Sequence, residues 1–497
     1  MDSAKSMDSS AADRIQPDAP ASRLRLFDSL TRKMKEFVPL RPGVAHVYSC
    51  GPTVYSYQHI GNMRAYIFTD TLSRTLSRNG FAVTHIINIT DVGHLISDAD
   101  TGDDKLERAS RQEGRSALEI ARYYTDVFWR DIASLNIKPP ARWPFATDHI
   151  DDMIAFAGKI VPAHCYLLDS GLYFDTSTVP DYGSLARAET GELRGRIDEI
   201  PGKRNPGDFA VWRLSQPGVA KQMEWDSPWG RGAPGWHLEC SVMSMKYLGE
   251  PFDIHTGGID HREIHHPNEI AQNQAYTCSC RSGANIWMHN NFLIDRDGKL
   301  SKSAGGALLL SDLVERGYHP MAFRLACLQA HYRRPLEFTF ANLAGALSRL
   351  KRIVMALERL RRRAPAGPTA PAQAGAALLE RFDAEMADDL MTPRALPILE
   401  EALAREDIDP GERLATVDRM DEVLGLRLGT LSRDELRIRP AAAAMQEDEV
   451  ESVMAARAEA RARKDFAEAD RLRSVLETAG VAILDGDPLG WEWRLAG

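Results

Sequence analysis

The chain is poor in cysteine, with six residues (Cys50, Cys165, Cys240, Cys278, Cys280 and Cys327) among 497. So few thiols over such a length exclude a disulfide framework, and the cysteines are expected to be reduced, with some open to metal binding. No apolar run approaches the roughly 18 to 20 residues that cross a bilayer, which argues against membrane insertion. The opening MDSAKSMDSSAADRIQPDAPAS lacks the apolar stretch of a secretory leader. It reads as a disordered extension, residues 1–23, of a protein that stays in the cytoplasm. Positive charge is not in excess, since 61 Lys and Arg against 70 Asp and Glu leave a net charge of -9. A nucleic-acid partner would have to be held by local basic patches and not by the bulk field. No internal repeat is visible.

What is present is an ordinary globular composition, 44% hydrophobic and 26% charged. The length exceeds one core of usual size, so two or three domains are expected. From residue 44, VAHVYSC alternates like a strand, a glycine-bearing turn follows, and MRAYIFTDTLSRTLSRNG has helical spacing that stops at Gly80. FAVTHIINITD then reads as a second buried strand. Strand, helix, strand is a βαβ unit, so a parallel sheet is expected, with ligands at the carboxyl ends of its strands. Residues 103–136 and HIDDMIAFAGKIV read as helices, while 165–235 is rich in Gly and Pro and suits an insertion. FDIHTGGID and IWMHNNFLI restore the strand pattern, and from about residue 320 the chain is helical. APAGPTAPAQAGAA (364–377) reads as a low-complexity linker or exposed loop, RPAAAAMQ (439–446) as a second linker, and VMAARAEARARKDFAEADRLRSVLETAG as a basic helical run before two short strands.

Three groups of residues carry chemistry. In YSCGPTVYSYQHIGNMR (48–64), Gly51 and Gly61 let main-chain N–H groups approach a ligand, and the following helix N-terminus suits phosphate. His59 and Asn62 can add hydrogen bonds to phosphate oxygens. In KLSKS (299–303), Lys299 and Lys302 can neutralise charge developing on a triphosphate. Cys50, Cys240, His265 and Glu269 are of the types zinc prefers, His265 and Glu269 being four apart where a helix begins, with Pro267 acceptable in its first turn. His255, His261 and His266 crowd the same region, so His266 can replace His265. The CSC at Cys278 to Cys280 is a rival metal pair, read instead as packed in a helix.

Together, YSCGPTVYSYQHIGNMR, KRNPGDFAVWRLS, SPWGRGAPGWHLECSVMSMKYLG, FDIHTGGIDHREIHHPNEIAQ, WMHNNFLIDRDGKLSKSAGG and RKDFAEADRLRSVLETAGVAILDG occur in an order that resembles the cysteinyl-tRNA synthetases, class I aminoacyl-tRNA synthetases, over about residues 24–497. The resemblance implies an α/β chain: a class I Rossmann-like parallel-sheet catalytic domain (24–310) with an insertion at about 115–235. Helical stem-contact and tRNA-binding regions (311–440) and a small C-terminal α+β anticodon-binding domain (441–497) follow. It implies one Zn2+ per chain on Cys50, Cys240, His265 and Glu269, where the metal binds the thiolate of substrate cysteine. Segment 52–62 then matches the HIGH motif, with His59, Gly61 and Asn62 at ATP. Residues 299–303 match KMSKS, with Lys302 contacting ATP, which is used with Mg2+. Gly257, Gly258 and Asp260 fall near adenosine, while Thr53, Trp236 and His237 flank L-cysteine. The activity implied is cysteine--tRNA ligation by a monomer: cysteine is activated with ATP and moved to the terminal adenosine of tRNA(Cys).

The segment GGIDHREIHHPNE departs from the family's GGSDLxFPHHENE, with charged residues in an apolar stretch and proline in place of a glutamate between the ligands. TDVGHLISDADTGDDKLERA is longer than the compact form, and Leu300 stands for methionine. In the C-terminal third, Arg349, Lys351, Arg352, Arg359, Arg361 to Arg363, Arg457, Arg461, Arg463, Lys464, Arg471 and Arg473 are expected at tRNA phosphates, and Trp491 or Trp493 at an unpaired anticodon base. The alternatives are a paralogue that ligates cysteine to a small amine, as mycothiol-type ligases do without a full anticodon region, and a non-catalytic zinc-dependent RNA-binding protein.

Overall fold

The structure, a computed structural model, describes residues 23–92, 105–186, 200–216, 218, 221–295, 298–299, 308–364, 371–484 and 487–495. The expected disordered extension, the lengthened segment 93–104 and the loop from Leu300 through Lys302 lie outside these residues. So does the side chain of Lys299.

A short hairpin, β1 (Arg25–Asp28) and β2 (Lys33–Glu36), precedes the βαβ unit formed by β3 (Val44–Ser49), α1 (Ile60–Arg78) and β4 (Ala82–Ile87). Five of the six β3 residues are buried, as expected for a strand covered on both faces. Helix α1 ends at Asn79, and Gly80 takes the left-handed conformation (φ 84°) that lets the chain turn back into β4. Two helices, α2 (Lys105–Glu113) and α3 (Ala117–Ser134), occupy the segment read as amphipathic, and α4 (Ile150–His164) follows. Next come β5 (Cys165–Leu168), β6 (Gly171–Phe174), β7 (Phe209–Leu214) and β8 (Gly232–Pro234), paired antiparallel in that order into a sheet of their own within the Gly- and Pro-rich stretch.

The chain then re-enters the first layer through α5 (Trp236–Leu248), β9 (Phe252–Gly258), α6 (His265–Thr277) and β10 (Ala284–Asn290). The parallel sheet has the order β10-β9-β3-β4, with Tyr48 opposite His255 and His255 opposite Trp287. Its central pair, β3 and β9, comes from segments some 200 residues apart, and their carboxyl ends carry Cys50 and Gly257 to one edge. Beyond the sheet, β11 (Leu293–Asp295) pairs antiparallel with β12 (Gly298–Lys299) and parallel with β13 (Leu336–Glu337), which follows α7 (Leu310–Glu315) and α8 (Pro320–Leu328).

Helix α9 (Phe340–Arg363) buries Leu343, Leu347, Leu350, Val354 and Leu357 at helical spacing. It packs on α8 and on α12 (Pro410–Leu424), while α10 (Gln373–Ala387) and α11 (Thr392–Ala404) complete the bundle. The stretch read as a linker over 364–377 therefore already belongs to α10 from Gln373 onward. Gly375 is needed there for close approach: a Cβ would lie 2.4 Å from Thr416 Oγ1. The expected basic run divides into α13 (Glu447–Ala462) and α14 (Phe466–Thr478), which lie against each other. Lys464 adopts φ 61° at the break and Asp465 caps the second helix. With β14 (Val481–Ile483) and β15 (Trp491–Trp493) they enclose a small core of Val450, Leu476, Val481, Trp491 and Trp493. Both tryptophans are buried, and Arg437 covers the Trp491 ring at 3.8 Å, so neither is placed to stack on a base as expected. Among the described residues, no helix is long and apolar enough to cross a membrane.

The layers are joined by buried charge. Asp70 on α1 accepts from Arg74 Nε (2.7 Å), from Arg324 Nη2 on α8 (2.5 Å) and from the Lys138 amide (2.9 Å). Arg324 also donates to the carbonyls of Leu135 and Leu424, tying α3, α8 and α12 together.

Candidate active site

At the carboxyl edge of the parallel sheet a cleft is lined by Cys50 and Thr53, His59 to Asn62 without the buried Ile60, Trp236, Gly257 to Asp260, and Asn290 to Leu293. The chain after β3 stays hydrogen-bonded to the sheet, since Cys50 N donates to Thr256 O (3.3 Å) and Thr90 N donates to Pro52 O (3.0 Å). Gly51 is pressed against β4's extension: its amide donates to Asn88 Oδ1 at 2.9 Å, and a Cβ would fall 1.5 Å from the Asn88 carbonyl. Any side chain at residue 51 would displace Cys50. Asn88 itself is a polar residue inside the apolar run FAVTHIINITD, and that interruption is the signal by which sequence reading could have found it.

On one side of the cleft stands the N-terminus of α1. His59 is its N-cap; its Nδ1 accepts from the Asn62 amide, and Asn62 Oδ1 accepts from the His59 amide, both at 3.2 Å. This reciprocal capping box locks the first turn and leaves the donor face of the helix toward the cleft. The cap occupies His59 Nδ1 and Asn62 Oδ1, so an Asn62 contact to phosphate must come from its amide NH2 group. Gly61 lies within 2.9 Å, measured from a Cβ position, of the His59 ring.

On the other side lies a buried cluster. One ligand atom from each of Cys50, Cys240, His265 and Glu269 can be chosen so that all lie within 4.8 Å of one another, and the set Cys50, His255, His266 and Glu269 meets the same condition. His265 Nε2 lies 3.0 Å and His255 Nε2 2.8 Å from Glu269, and Cys50 Sγ is 3.3 Å from His266 Nε2. The set read with His265 is thus geometrically open, whereas His266 comes into ligand range only with His255 in place of Cys240; Cys50 and Glu269 are common to both sets. Cys50 is the one member of the first set that lines the cleft; the other three are buried. Pro267, the departure within this segment, sits in the first turn of α6, where its missing N–H has no helical partner to lose.

The cluster's titratable groups are strongly coupled by burial and contact. The hydrogen bond from Cys50 lowers Cys240 to about 7, while burial, with Cys240 next to it, drives the Cys50 thiol well up. Burial opposes the charge on Glu269, yet His255 and His265 bring it down to about 2. His265, against the same burial, is raised to about 10 by Glu269 and Cys240. Two thiols, imidazoles and a carboxylate within ligand range of one another fit zinc. Two buried nitrogens, His255 Nδ1 and His261 Nδ1, have no hydrogen-bond partner among the described residues.

The neighbours are ordered. His237 is buried, and its ring lies 2.9 Å from His265 through the two Nδ1 atoms; it is not part of the cleft lining. Trp236 lines the cleft and packs on His265 at 4.5 Å between ring centres. Gly257 passes under two histidines, where a Cβ would lie 2.7 Å from the His266 ring and 2.8 Å from His261. The CSC pair is not in a helix: Cys278 caps the end of α6 with φ 49°, and both cysteines are exposed. Of the KLSKS loop, the backbone of Lys299 is seen at the end of β12, hydrogen-bonded to β11.

Residues 36–348 match the family described as tRNA synthetases class I (C) catalytic domain, and residues 446–494 match the cysteinyl-tRNA ligase anticodon binding domain. The chain is 59% identical to the cysteine--tRNA ligase of Novosphingobium aromaticivorans, over 97% of this chain and 99% of the relative. It is 52% identical to that of Zymomonas mobilis, over 96% and 98%. Among solved structures, methionyl-tRNA synthetase of Mycobacterium tuberculosis bound by methionyl-adenylate is similar in fold, with TM-score 0.51 and 16% identity, covering 77% of this chain and 90% of that one.

Proposed function

The chain belongs to the cysteine--tRNA ligases, class I aminoacyl-tRNA synthetases, and from that premise we propose how its cleft divides the reaction between its two sides. The observation that carries the reading is the meeting, in one cleft, of a capped helix N-terminus and a thiol-rich ligand cluster, only nine residues apart in the chain at His59 and Cys50. The enzyme joins cysteine to tRNA in two steps. The carboxylate of cysteine attacks the α-phosphorus of ATP, forming a C–O–P bond as pyrophosphate leaves. A ribose hydroxyl of the terminal adenosine, the 2′-OH in this class, then attacks the adenylate carbonyl and releases AMP. Neither step needs a protein nucleophile, so positioning and charge neutralisation carry the catalysis.

In this reading the amide groups at the start of α1, with Gly61 and the Asn62 side chain, hold phosphate oxygens beside His59. The open main chain at Gly257 and Gly258, with Asp260, accepts the adenosine. Lys299 and Lys302 neutralise the triphosphate together with Mg2+. Thr53 and Trp236 flank the amino acid, and His237 orients His265. Cys50, Cys240, His265 and Glu269 hold Zn2+, which when bound supplies a soft Lewis acid that prefers thiolate to hydroxyl. Size alone would separate cysteine from serine by only about 1 to 3 kcal/mol, so the ligand chemistry carries the discrimination.

The anticodon-domain match and the full-length relatives support the tRNA ligase over a small-amine ligase, which needs no such domain. For tRNA phosphates the structure leaves Arg352, Arg359, Arg461 and Lys464 exposed, whereas Arg349 is engaged with Glu400 and Lys351 with Glu492. The test is ATP–pyrophosphate exchange with cysteine and with serine, followed by charging of tRNA transcripts with and without the cysteine anticodon. Exchange with cysteine alone and charging limited to the cysteine anticodon are expected; exchange with serine at a similar rate overturns the reading.

A further inference from the structure

Arg64 lies one turn into α1, two residues after Asn62, and is 2% exposed. A guanidinium removed from water to this degree ordinarily faces a carboxylate. Among the described residues Arg64 has no acidic partner and is spent on main-chain carbonyls. Nη1 donates to Asn291 O (2.9 Å) and Phe292 O (2.5 Å), and Nη2 donates to Arg334 O (2.6 Å), with His331 O at 3.5 Å.

These carbonyls belong to two segments with distinct destinations. Asn291 and Phe292 line the cleft and lead directly into β11, whose partner β12 ends at Lys299, the first lysine of the KLSKS loop. Residues 331–334 lie between α8 and β13 and are gripped from the helical bundle by Asp389, which accepts from Tyr332 Oη (2.7 Å) and Arg333 Nε (2.6 Å). The two segments are also bonded to each other, since Asn291 N donates to Tyr332 O (2.8 Å) and Leu336 N to Phe292 O (3.0 Å). Arg64 is therefore where the helix bearing His59 and Asn62, the loop feeding the lysines and the entry to the bundle meet. Apolar packing could hold these parts together but would fix neither their angle nor their separation; a rigid planar fork with several directed donors fixes both.

We propose that Arg64 is a positioning residue for adenylate formation, setting the distance between the capped end of α1 and the strand pair β11–β12, which ends at Lys299. It acts through these elements and touches neither substrate. The inference rests on the function proposed above.

The test is cysteine-dependent ATP–pyrophosphate exchange by full-length Arg64→Met and Arg64→Lys, with KM for ATP and cysteine and the melting temperature measured alongside. Arg64→Met is expected to lower kcat by roughly 10- to 100-fold, since displacements near 1 Å have that effect on phosphoryl chemistry, with the cysteine KM near wild type because the thiol side of the cleft is built from other elements. Arg64→Lys, able to reach one pair of carbonyls but not both, is expected to recover part of the loss. Wild-type kcat in folded Arg64→Met overturns the inference, as does a loss in which kcat, cysteine KM and melting temperature deteriorate together and lysine restores nothing. Should Arg64→Met not fold, Arg64→Lys decides: lowered kcat with unchanged cysteine KM supports the proposal, and wild-type kinetics overturn it. Wild-type protein without cysteine-dependent exchange would overturn the function itself and this inference with it, whereas exchange in the wild type and an unaffected Arg64→Met overturn the inference alone.

Discussion

Replacing Asp70 by asparagine should destabilise the catalytic part of the molecule without touching the cleft. The Asp70 carboxylate is fully buried, as is Arg324, and the Arg74 side chain is only 6% exposed. Asparagine keeps an oxygen for the Lys138 amide but removes the negative charge that is hydrogen-bonded to two buried guanidinium groups, which Asp421 also faces. Breaking a buried pair in this way costs about 3 to 5 kcal/mol, because the orphaned cations stay desolvated. At about 2 °C per kcal/mol, the low end of the range and the value suited to so large a domain, the melting temperature should fall by roughly 6 to 10 °C. The pH dependence is a sharper check. Burial opposes ionisation of Asp70, but Arg324, Arg74 and the Lys138 amide outweigh it and leave the carboxyl below its ordinary value. The folded chain therefore binds this proton less readily than the unfolded chain. The contribution is complete above the unfolded value near 3.9 and is lost as pH falls through the folded one. In scanning calorimetry the deficit of Asp70→Asn should be constant from about pH 5 to 8 and shrink only below about pH 4. A melting temperature within about 2 °C of wild type at pH 7, or a deficit that shrinks as pH rises, would refute the reasoning.

Cys50→Ser should raise the cysteine KM in pyrophosphate exchange far more than the ATP KM, by about 100-fold or more if the thiol side is built as proposed; equal losses for both substrates would sink that division of the cleft. Reversing charge at Arg461 and Lys464, both exposed on the C-terminal domain, should raise the KM for tRNA while leaving exchange unchanged, and an unaltered tRNA KM would remove that surface from the tRNA path. Asp91 is the opposite case to Asp70. Burial raises its carboxyl to about 6 in spite of the two Thr147 donors, so the folded chain holds a proton that the unfolded chain releases. Asp91 should then contribute a decline in stability as pH rises from about 4 to 6, and Asp91→Asn should lessen the slope in urea melts; a slope unchanged by the substitution would contradict it.

The sequence was readable where information is local. The βαβ unit around α1, the stop at Gly80 and the amphipathic face of α9 follow from periodicity and turn chemistry, which depend on neighbours a few residues away. The candidate ligand set is proposed from ordered motifs, and Cys50, Cys240, His265 and Glu269 do lie within ligand range of one another, with Cys50 alone of the four lining the cleft beside His59 and Asn62. Reading failed where burial by distant partners decides. Trp491 and Trp493 looked available for stacking on bases, yet they fill a core with Val450 and Leu476. The alanine-rich end of the 364–377 stretch looked like linker, yet it packs closely enough on α12 to require Gly375. Composition carries no sign of either contact.

The fold class and the kind of reaction were thus readable in the sequence, because helix caps, strand periods and ordered motifs are written in short stretches. Tertiary structure alone decided how distant residues come together. It coupled His266 to His255 beside Glu269, set Asn88 behind Gly51 and turned Arg64 onto four carbonyls. Cys50 and Glu269 are 219 residues apart, and Arg64 and Arg334 are 270 apart. Contacts over such separations form only when a sheet and a bundle close around them, and no local pattern specifies which distant group a buried charge or thiol will meet.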